Sequence, residues 1–331
     1  MTGPRRRVVI LGTGGTIAGV RAGASDTHYR PGALDIEDVL AAVPGLDELA
    51  ELRIEELFQV DSVELDNAAM LVLARRVAAL QRRADVDAVV VTHGTDTLEE
   101  SAYLLHLVLD DPTPVVFVAA MRPGDSLSPD GPRNIRCAVA VAACDEARGA
   151  GVLAVMNDEI HSARDVSKTH TLNVAAMRSP HGPLGYVAGE QPRFYRANVH
   201  PHTVATEFVV DDVVELPRVD IIYGHPGMDA GQVDLLVANG ASALVYAGLG
   251  AGGMPGGVEK ALRETSRRGV HVVRASRSGV GPMVRNAAYD DDGNGWITVN
   301  DQAPPKARLL LALGLTRTTD HAELQRMFWT Y

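Results

Sequence analysis

Cysteine is almost missing from this chain: in 331 residues only Cys137 and Cys144 occur. The residues around them predict one helix carrying both. Seven residues of helix separate two Cα atoms by about 10 Å, beyond the span of a disulfide. They read as packed thiols in a reducing compartment. Long apolar runs are missing too. No stretch approaches the roughly 20 apolar residues of a membrane span. The run Val8–Leu11 is too short for a secretory h-region and lacks a small-residue cleavage site. These absences point to a cytoplasmic protein with no membrane partner. Positive charge is the third deficit, with 31 Lys+Arg against 42 Asp+Glu and a formal charge of −11. Such a field repels phosphate backbones and anionic lipid, which argues against nucleic acid as a partner. The one basic run, Arg5-Arg6-Arg7, is expected to be a solvated terminus rather than an anion site.

What is present is ordinary globular material, 46% hydrophobic and 22% charged, in a chain long enough to favour two domains. Through the first half, short apolar β-rich runs alternate with helical patterns. Val8–Leu11, Ala88–Thr92, Val115–Ala119 and Gly151–Met156 are apolar almost throughout, as parallel strands covered on both faces should be. A helix is expected to begin near Arg133. Another follows Thr97, with Leu98, Ala102, Leu105 and Leu109 on one stripe and Glu99 and Glu100 in its first turn. Repeated βα units imply a doubly wound sheet with its site at the C-terminal ends of the strands. Periodicity fails between about 190 and 217, where Pro192, Pro201 and Pro217 fall. The expected division is therefore a domain over 1–190, a linker over 191–217 and a second α/β domain over 218–331. The second series comprises strands at Val219–Tyr223, Ala243–Ala247 and Val270–Arg274. Helices are expected near Gln232–Ala238, Val258–Arg268, Ala307–Leu313 and Ala322–Phe328.

Two strand ends carry chemistry. Gly12-Thr13-Gly14-Gly15-Thr16 lets backbone approach a ligand closely and offers hydroxyls and amides, though for this turn taken alone a tight βα turn capped by Thr is the favoured account. His93-Gly94-Thr95-Asp96-Thr97 holds more polar groups than one cap requires. Thr97 with Glu100 satisfies the capping pattern and leaves Thr95 and Asp96 for a substrate. Lys168, in Arg164-Asp165-Val166-Ser167-Lys168-Thr169-His170, is a base candidate if buried beside a threonine. A threonine hydroxyl needs such help to act as a nucleophile.

These segments resemble the signatures of the bacterial L-asparaginases. Gly12–Gly19 is similar to the first signature and Thr92–Glu100 to the second. Ala120-Met121-Arg122-Pro123, Asp130-Gly131-Pro132, Arg164–Lys168 and Gly182-Pro183-Leu184-Gly185 match in order and spacing, so the likeness covers almost the whole chain. The resemblance implies two doubly wound α/β domains, the larger N-terminal one with a flavodoxin-like parallel sheet. It implies that Thr16 attacks a side-chain amide while Tyr29, in a Gly/Ala-rich lid, orients its hydroxyl. Thr95, Lys168 and Asp96 would form a second cluster supporting proton transfer. Ser62 would hold the substrate carboxylate and Asp96 its ammonium, with amides near Thr95 and Ala120 as the oxyanion hole. No cofactor or metal is implied. The partners implied are a small amino-acid amide and further copies of the chain, as a dimer or tetramer with each site near a subunit interface.

The chain departs from the family pattern where Val63 follows the serine in place of Gln. Ala251 replaces an Asn of the C-domain glycine loop, and Pro282–Ala288 contains no acid where family members supply a Glu to the neighbouring site. Asp96 is the grip on the ammonium that clearly survives. The substrate is therefore expected to be L-asparagine or, alternatively, D-asparagine, glutamine or a modified asparagine; a non-catalytic amino-acid-binding homologue is the remaining alternative. Two further motifs are decoys. Gly248-Leu249-Gly250-Ala251-Gly252-Gly253 fits a dinucleotide pattern without a companion for hydride transfer. Asp290–Asp301 nearly spells a calcium loop but lacks the bidentate Glu, and Asn294-Gly295 before Trp296 suggests a hairpin turn. The eleven histidines show no zinc spacing.

Overall fold

The computed structural model describes residues 5–25 and 27–331; Met1–Pro4 of the expected N-terminal domain, and Asp26, lie outside the described residues. The chain divides into two compact units, 1–212 and 213–331.

In the first unit the strands are β1 (Arg7–Gly14), β2 (Val20–Arg21), β3 (Tyr29–Arg30), β4 (Glu51–Val60), β5 (Ala88–Thr92), β6 (Val115–Val118), β7 (Val152–Met156), β8 (Glu159–Ser162), β9 (Ser167–Lys168), β10 (Met177–Arg178), β11 (Gly185–Ala188) and β12 (Gln191–Phe194). The helices are α1 (Ile36–Ala41), α2 (Leu46–Leu49), α3 (Asn67–Gln81), α4 (Leu98–Val108) and α5 (Gly131–Ala143). Eight strands form one sheet in the order β12-β11-β8-β7-β6-β5-β1-β4. From β4 to β7 the pairing is parallel, and in chain order those strands run 2-1-3-4-5, the flavodoxin-like winding. The expectation of a parallel sheet holds only for this part, because β8, β11 and β12 are antiparallel. β7 is joined to β8, and β11 to β12, by turns of two residues, which leave no room for the crossover that parallel pairing requires, while the longer stretch from β8 to β11 carries β9 and β10.

Strands β5, β6 and β7 are buried at every position, which explains their unbroken apolar runs. The expected stripe on α4 is a correction. From Ser101 to Val108 every residue is buried, because α4 packs on the sheet, on α3 and on the turn Thr203–Ala205. Its one histidine is accommodated by backbone, with His106 Nδ1 accepting from the Val152 amide at 3.1 Å. Cys137 lies in α5 and Cys144 caps its end. Burial pushes their thiols up to about 12 and about 11, so neither is a nucleophile at neutral pH.

The segment expected as a linker over 191–217 belongs largely to the first unit. Gln191–Phe194 is an edge strand paired with β11, a place where Pro192 costs little because one side of an edge strand needs no donor. Beyond it, Asn198 Nδ2 donates to Ala150 O and Thr206 Oγ1 to Leu107 O, both at 2.6 Å, and Phe208 and Val210 are buried. Irregular chain anchored by a few side chains has no period to find in the sequence.

The second unit is a parallel sheet of β13 (Val219–Tyr223), β14 (Ala243–Gly248), β15 (His271–Ser276) and β16 (Trp296–Thr298), in that order. Its helices are α6 (Gly231–Ala238), α7 (Gly256–Arg267), α8 (Asp291–Asn294), α9 (Pro304–Leu315) and α10 (His321–Thr330). The hairpin expected at Asn294-Gly295 is a second correction. Asp290 caps α8 through the Gly293 amide, Gly295 ends it at φ 65, and Trp296 enters a strand parallel to β15. The same contacts occupy the carboxylates of the near-calcium loop. Asp292 pairs with Arg285, and Asp291 meets the Arg274 guanidinium on two nitrogens at 2.7 and 2.6 Å.

Arg274 and Asp291 are buried completely, at 1% and 0% side-chain exposure. Arg274 also donates to Ala251 O at 2.8 Å and Val284 O at 3.1 Å, while Asp291 accepts the Asn286 amide at 2.8 Å. This one pair therefore ties the glycine-rich loop 248–253 to the irregular stretch 283–291. Breaking a buried pair strands a charge, at a cost of about 3–5 kcal/mol. Asp291→Ala is expected to lower unfolding free energy by that amount in denaturant titration. The double replacement Arg274→Met with Asp291→Leu should lose markedly less.

Candidate active site

The switch point of the parallel winding lies between β1 and β5, where the chain leaves one strand for each side of the sheet; ligands of open α/β sheets collect there. Both threonine segments stand at this place. Gly14 and Gly15 have φ of 92 and 79, a region that glycine enters freely and other residues at a cost. A Cβ on Gly15 would stand 2.4 Å from the Cα and N of Gly94, and one on Gly94 would stand 2.5 Å from Ser62 Oγ. Three chain segments thus meet with no room for a methyl group. Thr13 secures the joint, donating from Oγ1 to Thr92 O at 2.7 Å, so the first threonine of the glycine turn is structural.

Thr16 is 7% exposed and opens the turn Thr16–Ala18. Its Oγ1 lies 2.9 Å from the Tyr29 hydroxyl. Tyr29 sits on a short antiparallel pair with Val20–Arg21. Arg21 fixes that pair to the loop after β6, its amide bonding Asp125 at 3.0 Å and its Nε facing the same carboxylate at 3.4 Å. On the other segment, Lys168 Nζ donates to Thr95 Oγ1 at 2.8 Å and also to the Asp96 carboxylate. With Lys168 donating, the Thr95 hydrogen is free to point elsewhere. Lys168 is delivered by the two-residue pair of β9 with β10. Its side chain is 18% exposed, and that of Asp96 is 52% exposed. Among the described residues only the Oδ1 of Asp96 is engaged, leaving Oδ2 open.

Thr97 does not cap α4 with its side chain. Its Oγ1 donates instead to Ser62 O at 2.8 Å, so the capping pattern gives way to a cross-link between segments. Ser62 is 1% exposed, and its buried Oγ finds no hydrogen-bond partner among the described residues. An unsatisfied buried hydroxyl costs about 1–3 kcal/mol, which an incoming acceptor would recover. Val63 beside it is 59% exposed, and Glu64 is exposed too.

Ala120 follows β6 and is fully buried. No protein acceptor is found, among the described residues, for its amide or for that of Thr95. Two free donors at neighbouring strand ends are what an oxyanion requires. Sequence reasoning missed the residues around them. Asp130 accepts the amides of Met121 and Arg122, both at 3.0 Å. Asn134, 1% exposed, donates to Ala119 O at 2.9 Å and accepts the Asn157 amide at 3.0 Å. His93, fully buried against Phe117, has Nδ1 2.8 Å from Gly94 O and Nε2 3.0 Å from Ser101 Oγ. A carbonyl only accepts, so Nδ1 carries the hydrogen and Ser101 donates to Nε2. Asp130 stood in a quoted motif, and an apolar strand running into His93 signalled burial, but neither signal said what the side chain holds. No group of side chains suited to a metal occurs among the described residues.

Comparison with known proteins matches two family models in succession: "Asparaginase, N-terminal" over residues 7–200 and "Glutaminase/Asparaginase C-terminal domain" over 218–328. The glutaminase-asparaginase of Pseudomonas fluorescens biotype A is 44% identical over 98% of this chain and 90% of its own length. The L-asparaginase 2 of Bacillus subtilis is 41% identical over 97% of this chain and 86% of its own. The crystal structure of a probable cytoplasmic L-asparaginase from Campylobacter jejuni superposes with a TM-score of 0.95 at 40% identity, covering 99% of this chain and 100% of that one.

Burial lowers the His93 pKa from 6.5 to about 4. The unfolded chain therefore takes up this proton first as pH falls. A depressed pKa contributes stability that is complete above pH 6.5 and lost as pH drops towards 4. His202 and His271 are lowered as well, so the measurement is a difference. Thermal midpoints of the parent are expected to fall more steeply between pH 6.5 and 4 than those of His93→Asn.

Proposed function

The chain belongs to the bacterial L-asparaginase (asparaginase/glutaminase) family of amide hydrolases, and from that premise we propose that it converts L-asparagine to L-aspartate and ammonia through an ester on Thr16. The observation that supports this most is the pairing of two hydroxyls with separate partners at one switch point: Thr16 with Tyr29, and Thr95 with Lys168 and Asp96.

In this mechanism Thr16 Oγ1 attacks the side-chain amide carbon. The Thr16 proton passes to the Tyr29 oxygen as the phenol releases its own towards the departing nitrogen, so the leaving group is ammonia. The amides of Thr95 and Ala120 hold the negative oxygen that forms at the carbon. Water then adds to the ester, aligned by Thr95 with Lys168 behind it. The carbon–Oγ1 bond breaks and a proton returns to Thr16. The open oxygen of Asp96 receives the substrate ammonium, and the unpartnered Ser62 hydroxyl turns to its carboxylate.

A homo-oligomer, dimer or tetramer, with the site near a subunit interface completes the proposal, together with a cytoplasmic location, in keeping with the name of the Campylobacter jejuni neighbour. Among the described residues no helix is long and apolar enough to cross a membrane. A second reading is favoured by Val63, whose exposed apolar side chain stands beside Ser62. With a looser hold on the substrate head, glutamine is accepted as well, in keeping with the glutaminase-asparaginase name of the Pseudomonas relative.

Ammonia release from L-asparagine should fall by roughly three orders of magnitude or more in Thr16→Ala and in Thr95→Val, with folding unchanged, the scale expected for loss of a nucleophile or its activating partner. A variant keeping over a tenth of parent turnover would remove its residue from the mechanism. Restoring polar groups with Val63→Gln and Ala251→Asn is expected to lower KM for L-asparagine about tenfold while shifting kcat less. Steady-state kinetics on L-asparagine, D-asparagine and L-glutamine measure this.

A further inference from the structure

The two free amides at the switch point share a design. In a planar peptide the carbonyl and the following N–H point in opposite directions, so a group that grips the carbonyl sets the direction of the amide. The carbonyl before Thr95 is Gly94 O, gripped by His93 Nδ1 at 2.8 Å. The carbonyl before Ala120 is Ala119 O, gripped by Asn134 Nδ2 at 2.9 Å. Both side chains are buried, at 0% and 1% exposure, and neither can drift.

Each grip is itself held. Ser101, buried in α4, donates to His93 Nε2 at 3.0 Å and keeps the hydrogen on Nδ1. Asn134 is held by the Asn157 amide at 3.0 Å and bonds Asp130 Oδ2 at 3.2 Å. The Gly94 peptide needs such help because its glycine lends no side-chain stiffness. It is squeezed between Gly15 and Ser62, which limits translation but does not choose the tilt of the plane.

We propose that His93 and Asn134 are positioning residues for the oxyanion hole, each aiming one donor by clamping the carbonyl of the same peptide unit. They touch neither substrate nor the reacting atoms. This rests on the amide-hydrolysis reading for its effect on rate, though not for the geometry. An oxyanion donor that is merely tilted stabilises the transition state less than an aligned one and hardly alters ground-state binding. The signature is a fall in kcat with KM little changed.

Histidine offers a clean test because its two nitrogens have different mimics. An asparagine amide places its nitrogen near the position of Nδ1; a glutamine amide reaches the position of Nε2. In His93→Asn the grip on Gly94 O survives and contact with Ser101 is lost; in His93→Gln the reverse holds. Parent turnover on L-asparagine and L-glutamine is measured first, and its absence would sink the function reading alone. We expect His93→Gln to lose about tenfold to a hundredfold in kcat, short of the ~10²–10³ for deleting a donor. His93→Asn should stay within about threefold of the parent by the same scale. Asn134→Ala should behave as His93→Gln does, with KM within about twofold. Crystal structures of the two His93 variants read the geometry without any substrate: the Gly94–Thr95 peptide should keep its plane in the Asn variant and turn in the Gln variant. Equal kcat in the two, or an unturned plane in His93→Gln, overturns the proposal.

Discussion

Backbone meets backbone at the centre of this protein. Gly15 and Gly94, at the ends of adjacent parallel strands, stand so close that a methyl group on Gly15 would fall 2.4 Å from the Cα of Gly94, and one on Gly94 would strike Ser62. Steric exclusion of this kind is not negotiable in a close-packed interior. It forces β1, β5 and the turn after β4 to end together, which carries Thr16, Thr95 and Ser62 to one place. The positive φ of Gly14 and Gly15 turns the chain sharply enough for Thr16 to follow at once, and the bond from Thr13 to Thr92 O holds the turn against its neighbour.

Around this contact the polar groups divide their work. Groups facing the site are left with spare capacity: one oxygen of Asp96, the hydroxyl of Ser62, the amides of Thr95 and Ala120. Groups behind it are saturated, as Asn134 is with three bonds and His93 with two. A buried polar network stiffens only when every member is satisfied, and donors held stiff beforehand need no reorganisation when charge appears. The second unit applies the same rule to structure. Arg274 and Asp291 satisfy each other and three backbone groups, so an irregular loop stays put without a strand or helix to hold it.

Much of this was legible in the sequence. The strand Ala88–Thr92 stands where its apolar run places it, because it is buried at every position, and Val219–Tyr223 is a strand as expected although Asp220 interrupts it and Tyr223 is exposed. Helices α9 and α10 stand where periodicity puts them. The winding of the first sheet accords with what resemblance implied, and the fold sets Thr16 beside Tyr29 and Thr95 beside Lys168. What misled were local rules with tertiary competitors. Thr97 matches a capping pattern and spends its hydroxyl on Ser62 O; Asn294-Gly295 matches a hairpin and ends a helix. The stretch 191–217 shows no period and is nonetheless anchored by Asn198, Thr206, Phe208 and Val210.

The sequence by itself determined the buried strands of the parallel sheet and several of the helices, the family and the identities of the groups available for chemistry, since hydropathy period, glycine and side-chain type are properties of a residue and its near neighbours. Tertiary structure alone decided which groups are spent and which are free. His93 and Asn134 look unremarkable in the chain, and what they hold shows only in the fold: Ser101 of α4 sets His93 against the carbonyl of the next residue, and the end of β6 brings Ala119 O within 3 Å of Asn134. Whether a polar atom holds the fold or waits for a ligand depends on partners distant in sequence, and no local pattern contains that information.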